Sequence, residues 1–174
     1  MLGKLVGPAR LMPITSADVS LVADPLHEEL NSRLSSAEWE AEITSPWDCS
    51  QQNNGFLLRA DKQIVGVHLA YYSEREIDDR TARFCNMAAW RVVEEYRSSG
   101  LRLLNSLLSQ KGYHFTDLSP SGNVVPLNTR LKFSHLDVTT AQICHGRSGS
   151  SSRVRIISEQ QEIVRALHGR DWEI

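Results

Sequence analysis

The sequence predicts an α/β fold, in the broader α+β sense of a mixed sheet flanked by helices. Three observations carry this. Two apolar runs, residues 55–59 and 63–72, are separated by Asp61-Lys62, a hairpin signature. A longer run, residues 83–93, is apolar on both faces near its centre, as a strand inside a sheet is. An amphipathic stretch, residues 100–111, then leads to another strand-like segment, residues 113–118, which makes a β-α-β unit. A hairpin followed by a β-α-β unit puts antiparallel and parallel pairs in one sheet.

In chain order, residues 9–14 read as a short strand. Thr15 or Ser16 is placed to cap a helix over residues 17–30, with Asp18 at its positive end. Pro25 in the middle of that helix predicts a kink or a split. Ser35 or Ser36 caps a second helix, residues 37–43, in which Trp39 and Ile43 fall one turn apart on one face, and Pro46 stops it. Asn53-Asn54 punctuate the chain before the hairpin. The charged residues 73–81 read as a loop between the hairpin and the long strand. In the helix 100–111, Leu101, Leu104 and Leu108 recur at helical spacing, Leu103 and Leu107 widen the stripe, and Gly112 is a natural stop. Residues 119–122 read as a turn, and Asn123 is placed to cap a short helix, residues 124–131, with Pro126 in its first turn. Residues 135–144 and 154–157 read as further strands and 159–167 as a closing helix. The domain organisation is therefore a main domain over residues 1–145, a flexible Gly/Ser loop over 146–152, and a C-terminal strand and helix over 153–174 that complete the domain.

A chain of 174 residues most simply forms one domain. At that size about 70% of the unfolded surface can be buried. Apolar residues at 41% and charged residues at 23% are an ordinary globular balance. A net charge of −2 lacks the basic footprint of a nucleic-acid binder. No apolar run approaches the roughly 20 residues of a membrane span. The apolar segment at the amino end is too short for a secretory signal. Cys49, Cys85 and Cys144 are widely spaced and form no Cys-x-x-Cys pair, so neither a disulfide framework nor a structural zinc is indicated. His27, His114, His135, His145 and His168 show no ligand spacing, and no metal is expected. The simple expectation is a cytoplasmic protein.

The chemistry is carried by the join between the long strand and the helix. Val92-Val93-Glu94-Glu95-Tyr96-Arg97-Ser98-Ser99-Gly100-Leu101 ends a strand in a short polar loop that opens into a helix. Unpaired N–H groups at a helix start, with the helix dipole behind them, suit a pyrophosphate. Ser98, Ser99 and Gly100 let the backbone come close, and Arg97 and Arg102 add cations. A solvated turn has a similar composition; the order of elements favours phosphate. Glu94 and Glu95, at the carboxyl end of the strand, are candidate general bases acting through water, and strand alternation lets only one face a cleft. An exposed loop pair is the plainer alternative. His68, between Val67 and Leu69, is a third candidate base, because imidazole ordinarily titrates near pH 6.5 (about neutrality). A satisfied core histidine fits the same position. Asn86 and Trp90, four apart, share a strand face and are candidates to line an acceptor pocket, with Trp90 as a stacking platform or, alternatively, a core residue. Cys85 and Cys144 have no histidine partner in sequence and are not expected to be nucleophiles.

The element order from Ala9 to Asp137, with two motifs, resembles the GNAT superfamily of acyl-CoA-dependent acyltransferases. Arg97-Ser98-Ser99-Gly100-Leu101-Arg102 is similar to the family's Arg/Gln-x-x-Gly-x-Gly/Ala loop, and Asn123 through Leu131-Lys132-Phe133 is similar to its Asn…Leu-Gly-Phe segment. The stretches Arg83-Phe84-Cys85-Asn86-Met87-Ala88-Ala89-Trp90 and Phe115-Thr116-Asp117-Leu118-Ser119-Pro120-Ser121 resemble a bacterial subgroup linked with surface polysaccharide synthesis. The resemblance implies a mostly antiparallel sheet with a splayed central strand pair. It implies acetyl-CoA or coenzyme A as acyl donor and direct transfer to an amine or hydroxyl of a small-molecule acceptor, on a sugar in the subgroup. It implies that residues 97–102 grip the pyrophosphate and that Val92 and Val93 bond the pantetheine arm through their backbone, as a missing strand would. A backbone N–H near Val93 would polarise the thioester carbonyl, Asn123 would meet pantetheine, and Asp117 and Ser119, beside the splay, would meet acceptor or pantetheine. Three departures stand out. Arg102 occupies the last glycine position, Asn128 stands where a general-acid tyrosine often lies, and Arg83, Phe84 and Cys85 supply no carboxylate early on the long strand. A homodimer is compatible with this picture; nucleic-acid and membrane partners are not expected. The rival expectation is a non-catalytic module that binds a coenzyme or a partner.

Overall fold

The computed structural model describes residues 7–44 and 53–136, together with Glu162 and Arg165. The chain divides into two compact units, Met1–Phe133 and Ser134–Ile174, and every element below lies in the first. The expected strands at 135–144 and 154–157 and the loop 146–152 fall outside the described residues, except for His135 and Leu136. So do Pro46, Cys49, Cys144 and the closing helix, apart from Glu162 and Arg165, which are helical.

Five strands form one sheet in chain order: β1 (Arg10–Pro13), β2 (Gly55–Ala60), β3 (Gln63–Ile77), β4 (Arg80–Val92) and β5 (Tyr113–Thr116). The first four are antiparallel to their neighbours, and β5 lies parallel to β4. The mixed, mostly antiparallel sheet is the one expected. Helices cover both faces. On one, α1 (Val19–Glu29) and α2 (Ser36–Ile43) set Val22, Leu26, Trp39 and Ile43 against Leu57, Val67 and Leu69. On the other, α3 (Gly100–Leu108) sets Leu103, Leu104 and Leu107 against Leu58, Ala70, Cys85 and Met87. Each fully buried leucine contributes about 2 kcal/mol of apolar transfer. Leu101, expected in that stripe, instead lies at the surface, with 51% of its area exposed.

Local chemistry explains the helix starts. Ser35 accepts the Glu38 N–H at 3.3 Å while the Glu38 carboxylate takes the Ser35 N–H at 2.7 Å, a reciprocal capping box. Asp18 likewise accepts from the Thr15 N–H at 2.9 Å, ahead of α1. The expected break at Pro25 does not occur: α1 runs through it. The carbonyl deprived of its partner belongs to Leu21, a residue exposed to solvent.

Two features of β3 and β4 depart from the expected layout. The charged residues 73–81 are not a loop, because β3 continues to Ile77 and β4 begins at Arg80. Asp78 and Asp79 turn the chain with φ of 50° and 58°, the left-handed pair that a two-residue hairpin needs. Glu74 faces Arg83 across the arm, and the Thr81 hydroxyl donates to Glu76 at 2.8 Å. The second feature is a bulge. His68 faces Trp90 and Ala70 faces Met87, so two steps along β3 span three along β4. Pairing between β4 and β5 ends at Asn86–Thr116, and β4 runs on without that neighbour to Val92.

Candidate functional site

Where β5 stops and β4 continues, a wedge opens in the sheet, and it holds a cavity of about 360 Å³. Met87, Ala88, Ala89 and Trp90 form its β4 wall, and Asp117, Ser119, Pro120 and Ser121 form the wall beyond β5. Leu30, Asn31 and Trp39 line it from the α1–α2 side, and Leu104, Val124 and Asn128 from the opposite side. His68 reaches it from β3. The cavity therefore passes through the sheet layer.

His68 is 3% exposed and stacks on Trp90, ring centroids 4.8 Å apart and 6° from parallel. Burial pushes its pKa from the ordinary 6.5 down to about 3, so the ring is neutral at physiological pH. Its Nδ1 has no hydrogen-bond partner among the described residues. Asn128, on α4 (Val125–Arg130), is also buried and donates through Nδ2 to Asp117 Oδ2 at 2.8 Å, while its Oδ1 has no partner among the described residues.

The join from β4 to α3 is wound more tightly than an open loop. Residues Glu94–Ser99 form a 3₁₀ turn that leads straight into α3. Tyr96 N–H bonds Val93 O at 3.0 Å, and Gly100 N–H bonds Arg97 O. A 3₁₀ turn uses its N–H groups three residues back, so it offers fewer free donors than the expected loop. Both expected cations have protein partners: Arg97 pairs with Glu94, and Arg102 donates to the Ala9 carbonyl at 2.8 Å. Ser98 is exposed and Ser99 half-buried. A shallow groove of about 240 Å³ remains beside the turn, lined by Trp90, Val92, Arg97, Gly100 and Leu101. Gly100 packs closely there: a Cβ would stand 3.3 Å from Val92 Cγ2, so a larger residue would push that methyl by a few tenths of an ångström, and 3.7 Å from Trp90 Cζ2, an ordinary contact. Val93 N–H is already given to Val65 O at 3.0 Å, so it is not free for a carbonyl or a pantetheine arm. Strand alternation turns the backbone groups of Val92 to the open edge instead.

No family model and no curated protein matches the chain. Solved structures do match. An acetyltransferase from Trypanosoma brucei superposes with a TM-score of 0.55 at 17% identity, over 79% of this chain and 100% of its own. A predicted acetyltransferase from Clostridium acetobutylicum, solved with acetyl-CoA, gives 0.55 at 13% identity, over 78% and 96%. The fold is that of the GNAT acetyltransferases. AAC(6')-Iy, in complex with the bisubstrate analogue CoA-S-monomethyl-acetylneamine, shares it at 0.51 and 14% identity, over 83% and 100%.

On this GNAT fold the wedge gathers four of the expected site residues: His68, Trp90, Asp117 and Ser119. Others lie elsewhere. Neither Glu94 nor Glu95 lines the wedge cavity, which corrects the expectation that one faces the cleft. Both stand on the 3₁₀ turn past the end of β4, where strand alternation no longer applies; Glu94 pairs with Arg97, and Glu95 borders a separate pocket with Glu28, Glu29 and Asp61. Asn86 and Trp90 do not share a face. The bulge adds one residue between them, so Trp90 joins Cys85 and Met87 on the α3 side, and Asn86 accepts from the Thr116 hydroxyl at 3.1 Å. Asn123 caps nothing: Val124 is the N-cap of α4, its N–H bonding Ser121 O at 2.8 Å. Cys85 is buried, and burial pushes its thiol up to about 11, away from thiolate chemistry. The site also contains residues that sequence reasoning did not assign to it. Trp39 was legible as one face of α2 and Asn128 as a departure from a motif. Nothing in their spacing showed that α2 and α4 converge on one gap.

Proposed function

We propose that the chain is an acyl-CoA-dependent acyltransferase, moving an acetyl or acyl group from coenzyme A directly to an amine or hydroxyl of a small-molecule acceptor, on a sugar in the subgroup it resembles. The observation that carries this is the wedge: β4 keeps its course after β5 leaves it, and a cavity fills the space. The open edge at Val92 suits the amides of a pantetheine arm, and the groove by Arg97, Gly100 and Leu101 lies where the strand ends. In a ternary complex, juxtaposition supplies much of the rate. The acceptor nitrogen or oxygen forms its bond to the thioester carbon, the C–S bond breaks, and the thiolate leaves. The acceptor proton goes to water, and water reprotonates the sulfur, because Asn128 has no acidic proton to give. His68 is the candidate base the cavity contains. A group whose conjugate acid dissociates at about 3 takes protons weakly, so its part is to hydrogen-bond the acceptor.

That same weakness favours a second reading, a GNAT-fold module that binds a coenzyme without turnover. Calorimetry with acetyl-CoA and coenzyme A, followed by thiol release against amines, amino sugars and alcohols, separates the two. The transferase reading expects binding and release, with release unchanged in Glu94→Gln and Glu95→Gln. Binding without release for every acceptor selects the module, and no heat at millimolar ligand removes both.

A further inference from the structure

The transferase reading asks one molecule to occupy two places. Coenzyme A carries its diphosphate near one end and its thiol at the other, so it must fill both the groove at Arg97, Gly100 and Leu101 and the wedge cavity. The two spaces are separate, about 240 Å³ and about 360 Å³, and among the described residues only Trp90 borders both. Resting on that reading, we propose that Trp90 is a movable partition: its indole closes the passage between groove and cavity, and it turns aside to admit the thioester end.

Packing alone holds the closed position. The indole stacks on His68, ring centroids 4.8 Å apart. Its Cζ2 reaches the start of α3, 3.7 Å from where a Cβ on Gly100 would stand. Its Nε1–H is shielded from solvent and has no hydrogen-bond partner among the described residues. A buried donor left unpaired costs about as much as one aromatic stack contributes. No polar anchor therefore fixes the ring, and a turn that brings the N–H to water or to a ligand is favoured. The neighbours on either side are small: Ala88 and Ala89 border the cavity and Gly100 borders the groove, so none has the bulk to bar the ring. Trp90 is thus a positioning residue, which keeps the cavity closed until the pantetheine arm passes.

The test follows the indole itself. The protein is labelled with 5-fluorotryptophan, and the Trp90 line is assigned by its loss in Trp90→Phe. In the free protein that line should show microsecond-to-millisecond exchange, keep it with ADP, which has a diphosphate and no arm, and move to one sharp position with acetyl-CoA. In stopped flow, Trp90→Ala should take up acetyl-CoA at least about 10-fold faster than the wild type, with ADP association within about 2-fold. A Trp90 line without exchange, a line that bound acetyl-CoA leaves in place, or a folded Trp90→Ala that speeds neither ligand or both alike would each overturn the proposal. If Trp90→Ala does not fold, the wild-type spectra still decide. Calorimetry with acetyl-CoA is read separately. Exchange at Trp90 in a protein that gives no heat with acetyl-CoA retires the transferase reading and leaves the partition, and coenzyme binding beside a fixed indole does the reverse.

Discussion

His68 lies flat on Trp90 with its ring held neutral, and this has a consequence for stability. The unfolded chain takes up a proton on this imidazole below about pH 6.5, while the folded protein refuses it until about 3. The stability that His68 contributes is therefore fully present above its unfolded pKa and is lost as pH falls towards 3, at up to about 1.4 kcal/mol per pH unit. His68→Phe keeps a ring against Trp90 and removes the titration. Urea melts between about pH 4 and 6.5 should show a shallower loss of stability in the variant than in the wild type. Parallel slopes would mean that burial does not govern this group. Arg102 illustrates what single residues conceal. Its sequence position suggests a phosphate cation, yet its guanidinium holds the carbonyl of Ala9, 93 positions away, a partner that no local pattern announces.

The β3–β4 arm belongs to the scale of elements. Its turn places two aspartates, Asp78 and Asp79, in left-handed backbone that favours glycine. Asp79→Gly should relieve that strain and stabilise the protein by about 0.5 kcal/mol, visible as a higher urea midpoint with an unchanged slope. A lowered midpoint would show that the aspartate side chain outweighs the backbone term. The arm was missed in the sequence because both of its faces are wet, so apolar alternation, the usual mark of a strand, is absent from residues 73–77. The hairpin at Asp61-Lys62, the stripe of α3 and the capping box of α2 were legible because each is written in residues close in the chain. The 3₁₀ turn was not, since Glu94–Ser99 has a composition equally suited to an open loop.

At the scale of the molecule, the element order was enough to place the GNAT fold, while the cavity was beyond its reach. The cavity is assembled from α1 and α2, the middle of β3, the end of β4, α3 and the segment from Asp117 to Asn128, which only tertiary packing brings together. A ligand that needs such a site binds the folded state alone. Acetyl-CoA at about 100 times its dissociation constant should then add roughly 2.7 kcal/mol and raise the melting midpoint by several degrees in a thermal scan. A midpoint that stays put while calorimetry records binding would place the coenzyme off the folded site. The bulge at Ala88-Ala89 has its own reach. It makes β4 a strand read in two frames: before it, Cys85 and Met87 look towards α3; after it, Trp90 does, although odd-to-even spacing should have sent the indole through the sheet. Point changes in this stretch alter one side chain each; deleting Ala88 or Ala89 would remove the bulge and leave Trp90 to Val92 on the faces they now hold, whereas inserting a further residue there would turn all three over at once. The chain's tolerance there is thus a matter of length before it is a matter of identity.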